Sequence, residues 1–236
     1  MMSDKQLPYN ETLGGYDRWA SSYDAEPNSI MAATSWVFDR APLGCADCDV
    51  LELGCGTGRN ARRVIGDGAR SYLGIDGSAG MLGVATQRAA DPRITFGAAD
   101  LLGSWNLPKQ YDFALIALVL EHLVSLEPLF VSLARAIRPG GRVRIVELHP
   151  ERVAAGTSAH FAEGDTRVSF MSVAHDVPQM CAALEAVGFD PVRRDWLATD
   201  TMLAEVPGLA KHRGLKVLLD LKLTRRQRER RGSGAL

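Results

Sequence analysis

The chain has 236 residues, 46% of them hydrophobic and 23% charged, with a formal net charge of −1. That length suits one domain with a large core, with or without a small lid. The balanced charge excludes a global field for nucleic acid or an anionic membrane, and no apolar run approaches the roughly 20 residues that span a bilayer.

The opening stretch, MMSDKQLPYNETLGG, lacks the basic-then-apolar pattern of a secretion signal, so the expected location is cytoplasmic. Residues 1–48 precede the first strand and read as a helical lid. Within YDRWASSYD, Tyr16, Trp19, Ala20 and Tyr23 share one face at helical spacing, suited to packing on a core or to closing tyrosines over a ligand. A second helix is predicted over 29–39, ending before Pro42. Cys45-x-x-Cys48 has metal-ligand spacing, but no second Cys or His pair stands at a matching distance, so no metal site is expected.

Val50, Leu51 and Leu53 read as the end of a short buried strand. Gly54, Gly56 and Gly58 follow, then a helical pattern from Arg59 to Ile65. Strand, glycine turn and helix open a βαβ unit whose backbone comes close to a nucleotide. The pyrophosphate fingerprint Gly-x-Gly-x-x-Gly is not met, because Arg59 stands in the third-glycine slot.

Arg70 to Ile75 is the second strand, and Asp76-Gly77 ends it where an acidic residue accepts both hydroxyls of a ribose. Ser78 caps a helix through Ala89, with Met81 one turn in and positioned to pack against a base. Arg93 to Phe96 is a short third strand, and Asp100-Leu101 lies beyond it. Tyr111 to Leu118 is almost uniformly apolar, as a central parallel strand is, and runs into Val119-Leu120-Glu121-His122-Leu123. The next helix is expected to reach Ile137 and stop at the turn 138–141.

Arg142 to Leu148 is the fifth strand, which delivers His149 to the same sheet edge as His122. A histidine there suits a general base, its pKa lying near neutrality, or else only shapes the pocket. Residues 151–175, with a strand from Thr166 to Val173, are too long for a minimal connection and read as a substrate cover. Asp176 caps a helix over 179–187 and a sixth strand covers 192–197. Residues 199–214 are helical with a break at Pro207-Gly208, and Leu215 to Leu223 suits a last, buried strand. The arginine-rich end, 225–236, has no aromatic to stack a base and reads as a solvated, flexible tail.

The pattern Glu-x-Gly-x-Gly-x-Gly from Glu52 to Gly58 resembles motif I of the class I S-adenosylmethionine (SAM) dependent methyltransferases. Tyr-Asp-x-x-Ala-x-x-Tyr-Asp, from Tyr16 to Asp24, resembles the segment preceding motif I in many small-molecule members. The likeness covers residues 45–224. It implies an α/β fold: a three-layer α/β/α sandwich on a seven-stranded, mostly parallel sheet of order 3-2-1-4-5-7-6. The last strand is antiparallel, the domain is 49–224, and an N-terminal helical lid precedes it. The implied cofactor is SAM, leaving as S-adenosylhomocysteine. Tyr16, Tyr23, Gly54, Gly56, Gly58 and Asn60 would hold it on the loop side. Asp76, Gly77 and Met81 would follow the nucleoside, with Asp100, Leu101 and Leu118 beyond. Catalysis would fall to His149, His122 and Tyr16.

No Asn/Asp-Pro-Pro-Tyr/Phe follows the fourth strand; Leu118-Val119-Leu120-Glu121 stands there instead. That favours a small acceptor in an enclosed pocket over a nucleic acid, with the methylated atom (O, N or C) left open. The Ala-, Gly- and Arg-rich composition suits natural-product biosynthesis, and the lid helices offer a homo-oligomer contact. Two rivals stand: a SAM-fold cyclase or binding module, and a nicotinamide oxidoreductase, disfavoured by the absent third glycine.

Overall fold

The computed structural model describes residues 3–25 and 27–227. It begins with an edge strand, β1 (Ser3–Leu7), followed by α1 (Thr12–Trp19) and α2 (Ser29–Arg40). The α/β part runs β2 (Asp49–Leu53), α3 (Ala61–Gly66), β3 (Ser71–Asp76), α4 (Ala79–Arg88), β4 (Ile94–Ala98) and β5 (Tyr111–Ala117). A 3-10 turn at Leu120–His122 precedes α5 (Glu127–Ala136) and β6 (Ile137–Leu148). Then come α6 (Pro150–Ala154), β7 (His160–Glu163), β8 (Thr166–Phe170), α7 (Val177–Ala186), β9 (Phe189–Leu197), α8 (Asp200–Glu205) and β10 (Lys216–Arg225).

Among the described residues, seven strands form one sheet in the order β4-β3-β2-β5-β6-β10-β9. Counted from β2, this is the expected 3-2-1-4-5-7-6. Strand β10 runs antiparallel to both neighbours, and the other pairings are parallel. Side chains alternate along the central strands, so each face has its own core. Val50, Phe113, Leu115 and Val146 pack with α2, α3 and α8. Leu51, Leu53, Ala114, Ile116 and Ile145 pack with α5 and α7. No helix among the described residues is long and apolar enough to cross a membrane.

Helix ends follow local chemistry. Asn28, Ser78, Asp176 and Thr199 each accept a backbone N–H from the first turn of the helix that follows, satisfying otherwise orphaned donors. Cys45 and Cys48 are buried thiols within the α2–α3 core, and among the described residues no group of acidic, His or Cys side chains is arranged to hold a metal.

The structure departs from the sequence reading in four places. Residues 138–141 are not a turn before a strand; they bulge within β6, where Tyr111 pairs with Ile137 but Phe113 with Arg142. The helix expected to run on from the end of β5 is divided into the 3-10 turn and α5. Ser3–Leu7 is a strand rather than part of a helical lid, and it pairs in parallel with β8. It thereby joins the chain start to residues 151–175 in a separate sheet of order β1-β8-β7. Arg225, assigned to the flexible tail, ends β10 and donates to the carbonyls of Val187 and Gly188, while Arg226 pairs with Asp190 at 2.8 Å. The tail beyond residue 227 lies outside the described residues.

One buried ion pair ties these layers together. Arg144 on β6 and Asp220 on β10 are 2% and 1% exposed and meet through two bonds of 3.1 and 2.9 Å. Trp196 Nε1 donates to the same carboxylate at 3.0 Å, and Arg144 also donates to the carbonyls of Ala41 and Pro42 after α2. Removing one partner strands the other charge without water. Asp220→Ala is therefore expected to cost about 3–5 kcal/mol in urea unfolding; a loss under about 1 kcal/mol would contradict the role given to this pair.

Candidate functional site

The glycine loop forms the floor of a cavity at the carboxyl ends of β2, β3 and β5. Gly54, Gly56 and Gly58 have φ of 67°, 52° and 69°, the left-handed region that only glycine adopts freely. Their surroundings differ. A Cβ on Gly54 would lie 2.4 Å from a Val119 methyl, and one on Gly58 would lie 2.6 Å from the Phe96 ring. A Cβ on Gly56 would meet nothing within 4 Å, because this glycine borders the open cavity. Gly58, expected to touch a ligand, instead packs on Phe96 and does not line the cavity.

Two carboxylates hold the loop. Asp76 accepts the N–H of Gly56 and that of Ser78, both at 2.8 Å. Glu52, 1% exposed, accepts from the Asn60 amide at 2.7 Å and the Tyr72 hydroxyl at 2.5 Å. Asn60 therefore spends its amide on Glu52. Burial pushes the Glu52 carboxyl up to about 7, and burial likewise raises Asp76 against the lowering effect of its backbone donors.

The lid is clamped beside Asp76. Asp17 on α1 accepts the Ser78 hydroxyl at 2.6 Å and the Gly80 N–H at 2.9 Å, and its backbone lies so close that a Cβ on Gly80 would sit 2.8 Å from Asp17 O. From this anchor α1 projects its aromatic face as the sequence spacing predicts. Tyr16 stacks on Phe170 of β8 with centroids 4.6 Å apart, and Trp19 stacks on Phe161 of β7 at 5.3 Å. Lid and insertion are thus one roof.

Under it are two adjoining cavities. The first, about 260 Å³, is lined by Glu52, Gly54, Gly56, Asp76, Gly77 and Met81, and by Asp100, Leu101 and Leu118. Thr12, Thr57 and Arg59, which the sequence reading passed over, line it too. The second, about 470 Å³, is lined by the insertion, the start of α2 and the 3-10 turn at Pro207–His212. Tyr16, Tyr23, Leu118 and His122 belong to both. At this junction the Tyr16 hydroxyl and His122 Nε2 are 2.7 Å apart. Burial lowers His122 to about 4 and raises Tyr16 well above its ordinary value, so both are neutral at pH 7. Which of the two donates follows from the imidazole tautomer, and the other ring nitrogen, Nδ1, is buried with no partner.

The shape of the β5 end depends on a residue without a sequence signal. Leu118 has φ of 59°, strained for a branched side chain. Glu147 on β6 holds that turn by accepting the N–H groups of Val119 and Leu120 at 2.9 and 3.0 Å. Burial nevertheless pushes Glu147 up to about 8. Beside it Glu121, pushed by burial to about 7, lines the second cavity with Oε2 unpartnered.

His149 corrects the expectation of a general base. Its side chain caps α6, with Nδ1 accepting the Glu151 N–H at 3.2 Å, and Nε2 lies 3.5 Å from Asp195. It is 1% exposed and lines neither cavity. The physical reason is alternation: Leu148 faces the second cavity, so the next side chain turns away from it.

The first cavity fits a ribose-bearing ligand with an amino-acid arm. Gly56 leaves room for close approach, Asp76 keeps lone pairs for hydroxyls, and Thr12 and Thr57 hold buried hydroxyls with no protein partner. Comparison with known proteins agrees. A methyltransferase-domain family model matches residues 50–141. An uncharacterized methyltransferase of Emericella nidulans is 29% identical over 226 residues, covering 79% of this chain and 78% of its own. A demethylmenaquinone methyltransferase of Tropheryma whipplei is 34% identical over 110 residues, and the chain spans only 45% of that relative. Among solved structures, the DhpI–S-adenosylhomocysteine complex is 25% identical with a TM-score of 0.70, covering 93% of this chain and 98% of that one. A Mesorhizobium loti SAM-dependent methyltransferase, at 22% identity and TM-score 0.65, shares the fold over 90% of this chain and 100% of its own.

Glu52 gives a pH test of the site. Its raised pKa means that the protonated form stabilises the fold; this contribution is complete below 4.5 and lost as pH rises through about 7. The stability of the native chain relative to Glu52→Gln is expected to decline over that window and then level off, measured by urea unfolding at a series of pH values. A difference that stays flat across the window would contradict the burial assigned to this carboxyl.

Proposed function

We propose that the chain, which a methyltransferase-domain model matches and which resembles SAM-dependent methyltransferases in sequence and fold, takes SAM as its cofactor and methylates a small molecule held in the second cavity. One observation carries this reading: the two cavities share Tyr16, Tyr23, Leu118 and His122 as a common wall. A donor in one and an acceptor in the other would meet there.

Bound SAM supplies a methyl group on a sulfonium, already activated for one-step displacement. The chain's task is alignment, which is able to contribute up to roughly 7–11 kcal/mol. In this reading Asp76 accepts the ribose hydroxyls, and Arg59 and Thr57 face the amino-acid arm. Met81 and Leu101 cover the base, whose edge meets Asp100. Tyr16 and Tyr23 turn ring faces toward the cationic centre. The roof of α1, β7 and β8 keeps water from the junction. Tyr16 and His122 orient the nucleophile, and His122, neutral at pH 7, is able to receive a proton through the Tyr16 hydroxyl.

A small acceptor is supported by the volume of the second cavity, about 470 Å³. Methylation of a natural product is the biosynthetic role we favour. An acceptor screen read by release of S-adenosylhomocysteine tests the proposal. Acceptor-dependent release is expected; binding of the cofactor with no release across the screen would favour a non-methylating protein. Against the acceptor found, Tyr16→Phe keeps the ring stack and removes the hydroxyl. It should lower turnover about 100-fold with S-adenosylhomocysteine affinity within about threefold. Unchanged turnover would remove Tyr16 from the chemistry.

A further inference from the structure

The second cavity has a charge character of its own. Its lining includes Arg167 of β8 and Lys211, and the imidazoles of His160 and His212, against one carboxylate, Glu121. Among the described residues Arg18, Arg40, Arg63, Arg70, Arg88, Arg93 and several other arginines sit in ion pairs. Among the described residues Arg167 and Lys211 have no such partner, and Arg167's register neighbour on β1, Asp4, makes no ion pair with it. Unmatched cations converging on a concave surface are where an anion gains most, because each new contact is a charge-assisted hydrogen bond.

The first turn of α2, a 12-residue helix, also lines the cavity through Ser29, Ile30 and Met31, with the N–H groups of Ile30 and Met31 held by Asn28 Oδ1. Near the wall shared with the first cavity lie Glu121 and His122. The field is also felt within the protein: His212 is pushed below its ordinary pKa by burial and then by the charges of Lys211 and Arg152. The first cavity is the opposite, with Glu52, Asp76 and Asp100 against Arg59, and so suits a cationic donor.

We propose that the acceptor is a small anion, a carboxylate or phosphoryl compound. Its charged group sits against Arg167 and Lys211, with His160 and His212 beside them, and its nucleophile reaches the Tyr16–His122 junction. The inference rests on methyl transfer at that junction and narrows its substrate class. His160 Nδ1 donates to Ser158 O at 3.0 Å, so its Nε2 gives an anion a donor only when the ring is protonated.

The test uses the full chain saturated with S-adenosylhomocysteine, titrated at constant ionic strength with inorganic phosphate and, in parallel, with acetate. Phosphate binding is followed by phosphorus-31 NMR and acetate binding by proton NMR. Binding of either ion is expected, and which one binds more tightly distinguishes a phosphoryl from a carboxylate acceptor. In the double variant Arg167→Ala/Lys211→Ala that affinity should fall at least about tenfold. Arg135→Ala, on α5 and outside both cavities, should leave it unchanged. Binding of neither ion to the native chain, or equal loss in the Arg135 variant, would overturn the inference. Calorimetric titration with S-adenosylhomocysteine on the same samples separates the two proposals. If it binds the native chain and the double variant alike while no anion binds, only the anionic acceptor fails; if it binds neither, the methyl-transfer reading fails first.

Discussion

Two backbone N–H groups, from Gly56 and Ser78, converge on the carboxylate of Asp76, and the functional architecture hangs from that convergence. The first bond fixes the glycine loop after β2 against the end of β3. The second fixes the start of α4, and the Ser78 hydroxyl carries the connection on to Asp17 and so to α1. Loop, strand, helix and α1 are thus linked by hydrogen bonds to two carboxylates, Asp76 and Asp17, within one small volume. A buried carboxylate that did not accept these donors would be costly, as its raised pKa indicates. The constraint that shapes the glycine-loop cavity is also what keeps α1 in register with it.

The roof follows from a second constraint, the pairing of β1 with β8. A polar edge strand at the chain start would be unstable alone; here it completes the hairpin β7–β8 and carries α1 to the aromatic cluster. Gly15 permits the approach, since a Cβ there would lie 2.5 Å from the Phe170 ring. The two cavities that result differ in lining: Glu52, Asp76 and Asp100 stand against Arg59 in the first, and Arg167 and Lys211 against Glu121 in the second.

Much of this was legible in the sequence because it is local. The glycine loop, Asp76, the cap at Ser78 and the apolar β5 each announce themselves within a few residues, and the sheet order follows from the family resemblance they carry. What was not legible depends on distant partners. Ser3–Leu7 has no hydrophobic alternation, four of its five residues being exposed, and its partner lies 163 residues away in register. Asp17 reads as one more acid on a lid helix until α4 is brought against it. His149 shows the limit of placing a residue by element alone. Its position after β6 was read correctly, but the direction of its side chain is set by pleat alternation and the start of α6, and both turn it away from the cavities. Gly58 failed for a related reason: the motif says glycine, and the structure shows that packing on Phe96, not a ligand, requires it.

The most direct measurement is calorimetric titration of the native chain and of Asp76→Asn with S-adenosylhomocysteine, with NADP as the control ligand. Micromolar binding of S-adenosylhomocysteine to the native chain is expected, weakened about 10- to 100-fold in the variant by the loss of charge-assisted bonds, with no heat from NADP. Binding of NADP in place of S-adenosylhomocysteine, or equal affinity in a folded Asp76→Asn, would contradict the site built around that carboxylate.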